Sequence, residues 1–144
     1  MQKLRVNKLF KWEMAHVLDF HDGKCKNIHG HTYQLEVGIK GSVKPLANKP
    51  DSGMIIDFTV LKNIVNEQIV AKLDHTLVIW EKSKWLEKCE GHTQLMTMPV
   101  QPTVENLLMW IVEQLLAALP SEVELCQVRM RETPTSWAEW RKED

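Results

Sequence analysis

Two runs of alternating residues dominate the N-terminal part of the chain, and both carry histidine at the parity of their apolar side. From Leu4 onward, Leu4, Val6, Phe10, Trp12 and Met14 occupy even positions, while Arg5, Asn7, Lys11 and Glu13 occupy odd ones. In the second run Tyr33, Leu35, Val37 and Ile39 alternate with Thr32, Gln34, Glu36 and Lys40. A period of two means half-buried β-strands, because successive side chains on a strand point to opposite faces. His16 has the parity of the first apolar face, and His29 and His31 have that of the second. If the two strands pair antiparallel, three imidazoles converge on one side of a sheet. Cys25 stands four residues before His29, in a polar connection from Val17 to Lys26.

The remainder reads as helix, helix, strand, strand. The stretch from Gly41 to Gly53 is rich in Pro, Gly and Asn and forms a loop. Leu61, Ile64, Val65, Ile69 and Leu73 recur at helical spacing, with Asp57 or Thr59 as the N-cap. That helix runs out near Asp74-His75. Thr76 to Ile79 is too short to classify, and Glu81 to Gln101 has no clear period and reads as a long surface excursion. Thr103 can cap a second helix, Glu105 suits its positive N-terminal end, and Val104, Leu107, Leu108, Ile111, Leu115 and Leu119 form its stripe. Period two returns from Glu122, with Cys126, Val128, Met130 and Glu132 on the inner side, and a last strand is expected over Ser136 to Arg141. The expected order is ββααββ, in the α+β class.

At 144 residues and 44% hydrophobic, the chain has the size of one domain, taken as residues 1–144. Lys and Arg number 18 against 19 Asp and Glu, so no bulk basic field points to nucleic acid or a membrane surface. Three widely spaced cysteines, an N-terminus without an apolar signal core and the lack of a spanning apolar run lead us to expect a cytoplasmic protein.

Three histidines without an obvious fourth protein ligand describe a zinc site that keeps a position open. Cys25 admits two readings, a fourth ligand closing a structural site or a thiolate activated by nearby positive charge. Asp74-His75 offers a carboxylate and an imidazole together, either as a proton relay or as ordinary polar residues at a helix end. Glu132, aimed inward, can accept two parallel N–H donors of a guanidine-like heterocycle, or it can pair with Arg129 or Arg131. His21 lacks comparable support, as does the Cys89-x-x-His92 spacing.

Several of these pieces fall into a known order. Trp12-Glu13-Met14-Ala15-His16, Cys25-x-x-x-His29-Gly30-His31, Gly53-Met54-Ile55-Ile56-Asp57-Phe58, Leu73-Asp74-His75, Pro102-Thr103-Val104-Glu105-Asn106 and Glu132-Thr133 closely resemble the motifs of the 6-pyruvoyl-tetrahydropterin synthase and QueD (6-carboxy-tetrahydropterin synthase) family. The resemblance implies the T-fold, a ββααββ subunit with a four-stranded antiparallel sheet and two helices on one face. Subunits of this kind join their sheets into a trimeric barrel, and two trimers stack as a homo-hexamer.

Carried over by position, the resemblance makes His16, His29 and His31 zinc ligands, Cys25 the catalytic thiol, and Asp74 with His75 its proton-handling partners. Glu132 would anchor the pterin. Thr103 and Glu105 match a substrate-pocket motif, although both also suit helix capping. The substrate implied is 7,8-dihydroneopterin triphosphate. One branch gives 6-carboxy-5,6,7,8-tetrahydropterin, acetaldehyde and triphosphate on the way to queuosine and related deazapurines, and another gives 6-pyruvoyl-tetrahydropterin.

The short Cys25-to-His29 spacing resembles the carboxy branch. Lys26 stands where a folate-related branch carries glutamate. Trp12 and Met14 replace the usual Phe and Ala, and residues 81–101 look long for the carboxy branch. A reading from another class is a non-catalytic, zinc-stabilised oligomer that binds a purine or pterin.

Overall fold

The computed structural model describes residues 2–143. Strand β1 (Lys3–His16) pairs antiparallel with β2 (His29–Ser42), in a register running from Lys3 opposite Ser42 to His16 opposite His29. The alternation seen in sequence is the burial pattern of both strands: Phe10, Trp12, Met14, Tyr33, Leu35, Val37 and Ile39 are all buried. β5 (Glu124–Thr133) adds antiparallel to β2, with a shift in register at Gly38/Ile39, and β6 (Ser136–Arg141) adds antiparallel to β5.

The sheet is larger than four strands, and it is mixed. β3 (Thr76–Trp80) lies parallel to β1, and β4 (Leu95–Met98) lies parallel to β3, giving the order β4-β3-β1-β2-β5-β6. Thr76, Leu77, Val78 and Ile79 are all buried, so this strand has no exposed face and no alternation. A parallel strand covered on both faces reads as a short continuous apolar run, which periodicity cannot tell from a helical turn. The expected α+β fold therefore stands, with two short parallel strands added at one edge.

Helix α1 (Phe58–Val65) starts where expected, with Asp57 accepting the Thr59 N–H at its N-terminus. It continues through a π-helical segment (Asn66–Val70) into a final turn, α2 (Ala71–Leu73). A single turn, α3 (Leu86–Cys89), follows β3, and α4 (Val104–Ala118) is capped by Thr103, whose Oγ1 accepts the Asn106 N–H. The stripe Leu61, Val65, Ile69, Leu73 from the first helical stretch and Leu107, Ile111, Leu115 from α4 meet the inner face of the sheet in one apolar cluster. Each such side chain contributes roughly 1.5–3 kcal/mol on full burial.

A second, smaller cluster joins Val17, Leu77 and Ile79 to Trp85, Leu86, Cys89 and Leu95. The 81–101 segment is thus not the loose excursion its composition suggests, because it carries α3 and β4 and folds onto apolar residues of its own. No helix among the described residues is long and apolar enough to cross a membrane.

Ile111 is completely buried in the main cluster, so Ile111→Ala is expected to lower stability by about 2–5 kcal/mol. A urea unfolding curve should show a lower midpoint with an unchanged slope.

Candidate metal centre

The pairing of β1 with β2 brings the three histidines together at one end of the sheet. His16 lies opposite His29 and Met14 lies opposite His31, so all three imidazoles project to the inner face. One ligand atom from each falls within 4.8 Å of the other two, the arrangement expected around a single ion. Among the described residues this is the group of side chains so arranged.

Backbone carbonyls decide which nitrogens are free. His16 Nδ1 is 2.7 Å from Pro102 O, and His29 Nδ1 is 2.7 Å from Asn27 O. A carbonyl only accepts, so each Nδ1 carries the proton and each Nε2 is left with a bare lone pair in the neutral ring. Those two Nε2 atoms stand 3.0 Å apart.

Protonating one of them would relieve the repulsion, but burial opposes it. His16 is 1% exposed, and its pKa is lowered to about 4, first by desolvation and also by the neighbouring His29 and His31; the Pro102 bond partly offsets this. Burial likewise lowers His31, against the opposing pull of Glu132. Three imidazoles drawn together, two of them oriented by a carbonyl on the other nitrogen, are a fitting donor set for zinc.

Around the cluster the predicted residues are distributed unevenly. Cys25 sits in a 3-10 turn (Lys24–Lys26), half-buried and free, and its carbonyl accepts the Leu18 N–H at 2.9 Å. Glu132 Oε1 lies 3.7 Å from His31 Nε2. The sequence left open a pairing of Glu132 with Arg129 or Arg131. Arg129 instead faces Glu36 and Glu139, and Arg131 donates to Pro134 O and stacks on Trp137. Thr103 is the cap of α4, and Glu105 is exposed in the first turn of that helix.

Asp74 and His75 touch directly, although neighbours in sequence rarely face each other. His75 adopts φ 57°, in the left-handed region that non-glycine residues seldom enter, and this turns its ring back so that Nδ1 meets Asp74 Oδ1 at 2.9 Å. Asp74 Oδ1 also accepts the Glu13 N–H, and the His75 N–H donates to Glu13 O, pinning the turn to β1. The carboxylate holds the proton on Nδ1, leaving His75 Nε2 as the acceptor. His75 and His31 line one concavity of about 420 Å³, with Gly30, Thr32 and Thr93 in its wall. A second, of about 630 Å³, runs from His31 past Glu132 to Lys11 and Arg131. A further concavity, about 700 Å³ around Gly41, Leu119 and Trp140, lies at the far end of the strands and is lined by no histidine or cysteine.

Tyr33 belongs to the site and was visible in sequence only as an inward-facing core residue. It is fully buried with its hydroxyl unpaired, its ring meets His16 and His31 edge-on, and its phenol is pushed far up by burial and by the negative charges of Glu132 and Cys25 when ionised. The available signal was a tyrosine two residues after His31 at the same parity, since a buried phenol needs a partner. His21 accepts from Gly23 N–H, and Cys89 meets His92 only through the backbone.

A sequence model of the family described as 6-pyruvoyl tetrahydropterin synthase matches residues 5–143. The chain is 34% identical over 145 residues to the 6-carboxy-5,6,7,8-tetrahydropterin synthase of Haemophilus influenzae, covering 96% of this chain and 99% of that one. It is 36% identical over 128 residues to a protein of Archaeoglobus fulgidus described as putative 6-carboxy-5,6,7,8-tetrahydropterin synthase, covering 89% and 87% of the two chains. Among solved structures it resembles an uncharacterized Wolinella succinogenes protein, with TM-score 0.78, 19% identity and coverage of 99% and 100%. It also resembles the 6-pyruvoyl tetrahydropterin synthase of Caenorhabditis elegans, with TM-score 0.71, 24% identity and coverage of 99% and 98%. These structural likenesses bear on the fold alone.

The lowered His16 pKa carries a sign. Below its ordinary value of 6.5 the unfolded chain takes up a proton that the folded one refuses, so falling pH favours unfolding until pH passes about 4. Metal-free protein is expected to lose on the order of 3 kcal/mol of stability across that window from this group. Urea midpoints measured from pH 7 to pH 4 with chelator present check it; an unchanged midpoint would contradict a neutral buried His16.

Proposed function

The chain belongs to the 6-pyruvoyl tetrahydropterin synthase family, and we propose that within it the protein is a zinc-dependent 6-carboxy-5,6,7,8-tetrahydropterin synthase. It would convert 7,8-dihydroneopterin triphosphate to the carboxy-pterin, acetaldehyde and triphosphate, on the route to queuosine and related deazapurines. The observation that carries the reading is the cluster of three histidines beside a free thiol that is not among the ligand atoms brought together. Relatives described as 6-carboxy-5,6,7,8-tetrahydropterin synthases, matched over nearly their whole length, support this branch over the pyruvoyl one.

In this reading His16, His29 and His31 hold the metal. Bound there, zinc would supply Lewis acidity toward the substrate's side-chain oxygens. The remaining work falls to the chain's own groups. Cys25, as thiolate, takes a proton from the substrate side chain. His75, with its Nδ1 proton held by Asp74, presents Nε2 to accept or return one. Glu132, free of arginine, has carboxylate oxygens available for the paired N–H groups of a pterin edge, and Thr103 and Glu105, at the start of α4, would contribute to the substrate pocket as the family motif implies.

Exposure supports a site completed by other subunits. The His75 side chain is 76% exposed and that of Asp74 40% exposed in the single chain, an unusual setting for groups that handle protons away from water. The sheet also ends in two unpaired edge strands, β4 and β6, which invite pairing between copies. We therefore propose a homo-hexamer built as a dimer of trimers. The three free cysteines suit a reducing, cytoplasmic setting.

Pure protein incubated with dihydroneopterin triphosphate is expected to release acetaldehyde; triphosphate release without acetaldehyde would move the assignment to the pyruvoyl branch. Cys25→Ala should retain zinc at one equivalent while turnover falls by about 10²-fold or more. Loss of zinc together with the thiol would instead favour the closed structural site and the non-catalytic binder. Glu132→Gln should raise KM at least about tenfold, since one acceptor becomes a donor facing donors; an unchanged KM would remove its anchoring role.

A further inference from the structure

The segment between β3 and α4 reaches back to His16 through hydrogen bonds that include Asp19, Ser83 and Gln101, which belong to none of the motifs quoted above. The Pro102 carbonyl that orients His16 belongs to a residue flanked by two anchored neighbours. Thr103, on one side, caps α4. Gln101, on the other, accepts the Asp19 N–H on its Oε1 at 3.0 Å, while its carbonyl takes Asn106 Nδ2–H at 2.9 Å. Asp19 in turn grips the start of the 81–101 segment: its Oδ2 accepts Ser83 Oγ–H at 2.9 Å and the Lys84 N–H at 3.1 Å. Ser83 is buried, and its hydroxyl also accepts the Trp85 N–H.

Residues 16 to 19 therefore tie four parts of the molecule together in succession. His16 is bound to Pro102, Val17 is buried against Leu77 and Ile79, Leu18 donates to the Cys25 carbonyl, and Asp19 holds both ends of the 81–101 segment. A carboxylate suits the grip on Ser83 and Lys84, because an ionised acceptor binds a hydroxyl and an amide about twice as strongly as a neutral one does. Truncating it would leave the buried Ser83 hydroxyl without this acceptor and release the start of the 81–101 segment from the turn after His16, with only the backbone bond to Gln101 remaining.

We propose that Asp19 is a positioning residue for the metal centre. Its carboxylate clamps Ser83 and Lys84 at the start of the 81–101 segment while its backbone N–H holds Gln101 at the end, so that the segment braces the Pro102 carbonyl that sets the His16 tautomer. The proposal rests on the metal-centre reading of the three histidines.

Cobalt(II) tests it without recourse to turnover. Metal-free protein is titrated with Co²⁺ against a competing chelator, and the visible ligand-field bands report the geometry of the ion. Asp19→Ala should bind Co²⁺ about tenfold or more weakly, with altered bands, as outer-shell changes do at metal sites. Asp19→Asn, which keeps a carbonyl acceptor for Ser83 and Lys84, should recover most of that loss. If Asp19→Ala does not fold, Gln101→Ala and Ser83→Ala should each weaken Co²⁺ binding in the same direction. Wild-type affinity and bands in Asp19→Ala, or in both substitutes, would overturn the proposal and leave Asp19 a loop anchor. Wild-type protein that takes up no Co²⁺ would overturn the metal-centre reading itself.

Discussion

Everything at the functional end of this molecule depends on the register in which β1 pairs with β2. Placing His16 opposite His29 sets Met14 against His31 and Trp12 against Tyr33, so the histidines and the apolar core share one face. A slip of one residue would turn every side chain of a strand to the other face, exposing the core and dispersing the three histidines. The cost of such a slip is large because Tyr33, Leu35, Val37 and Ile39 are completely buried. The same packing that stabilises the fold therefore keeps three imidazoles together despite the unfavourable meeting of their lone pairs.

That meeting is the electrostatic character of the site. Backbone carbonyls from two separate loops hold the Nδ1 protons of His16 and His29, and burial keeps His16 from taking up a second proton. What remains is a region rich in lone pairs, next to Glu132 and, through Tyr33, within electrostatic reach of Cys25. The pair proposed to handle protons is built differently. Asp74 and His75 are at the surface, and their contact is obtained through a backbone conformation that costs on the order of 1–3 kcal/mol. Strain at one exposed residue, held from both sides by Glu13, is consistent with a position kept for chemistry.

Much of this was legible in the sequence because it rests on local period. Alternation, together with antiparallel pairing of the two strands, placed the three histidines on one face, and helical spacing with caps at Asp57 or Thr59 and at Thr103 located both long helices. The parts that were not legible are those whose cause is long-range or conformational. β3 is buried on both faces and has no alternation to read, and β4 has only four residues. The contact between Asp74 and His75 depends on a positive φ that no histidine announces. The Asp19 carboxylate reaches Ser83 across more than sixty positions, and nothing in Leu18-Asp19-Phe20 distinguishes such a carboxylate from a solvated one.

The central claim is an open centre of three histidines with the thiol outside it. X-ray absorption at the zinc edge of the zinc-loaded protein addresses this directly. A first shell of three imidazole nitrogens and one oxygen, all at about 2.0–2.2 Å with no sulfur, is the expected result. A Zn–S distance of about 2.3 Å that disappears in Cys25→Ala would contradict it.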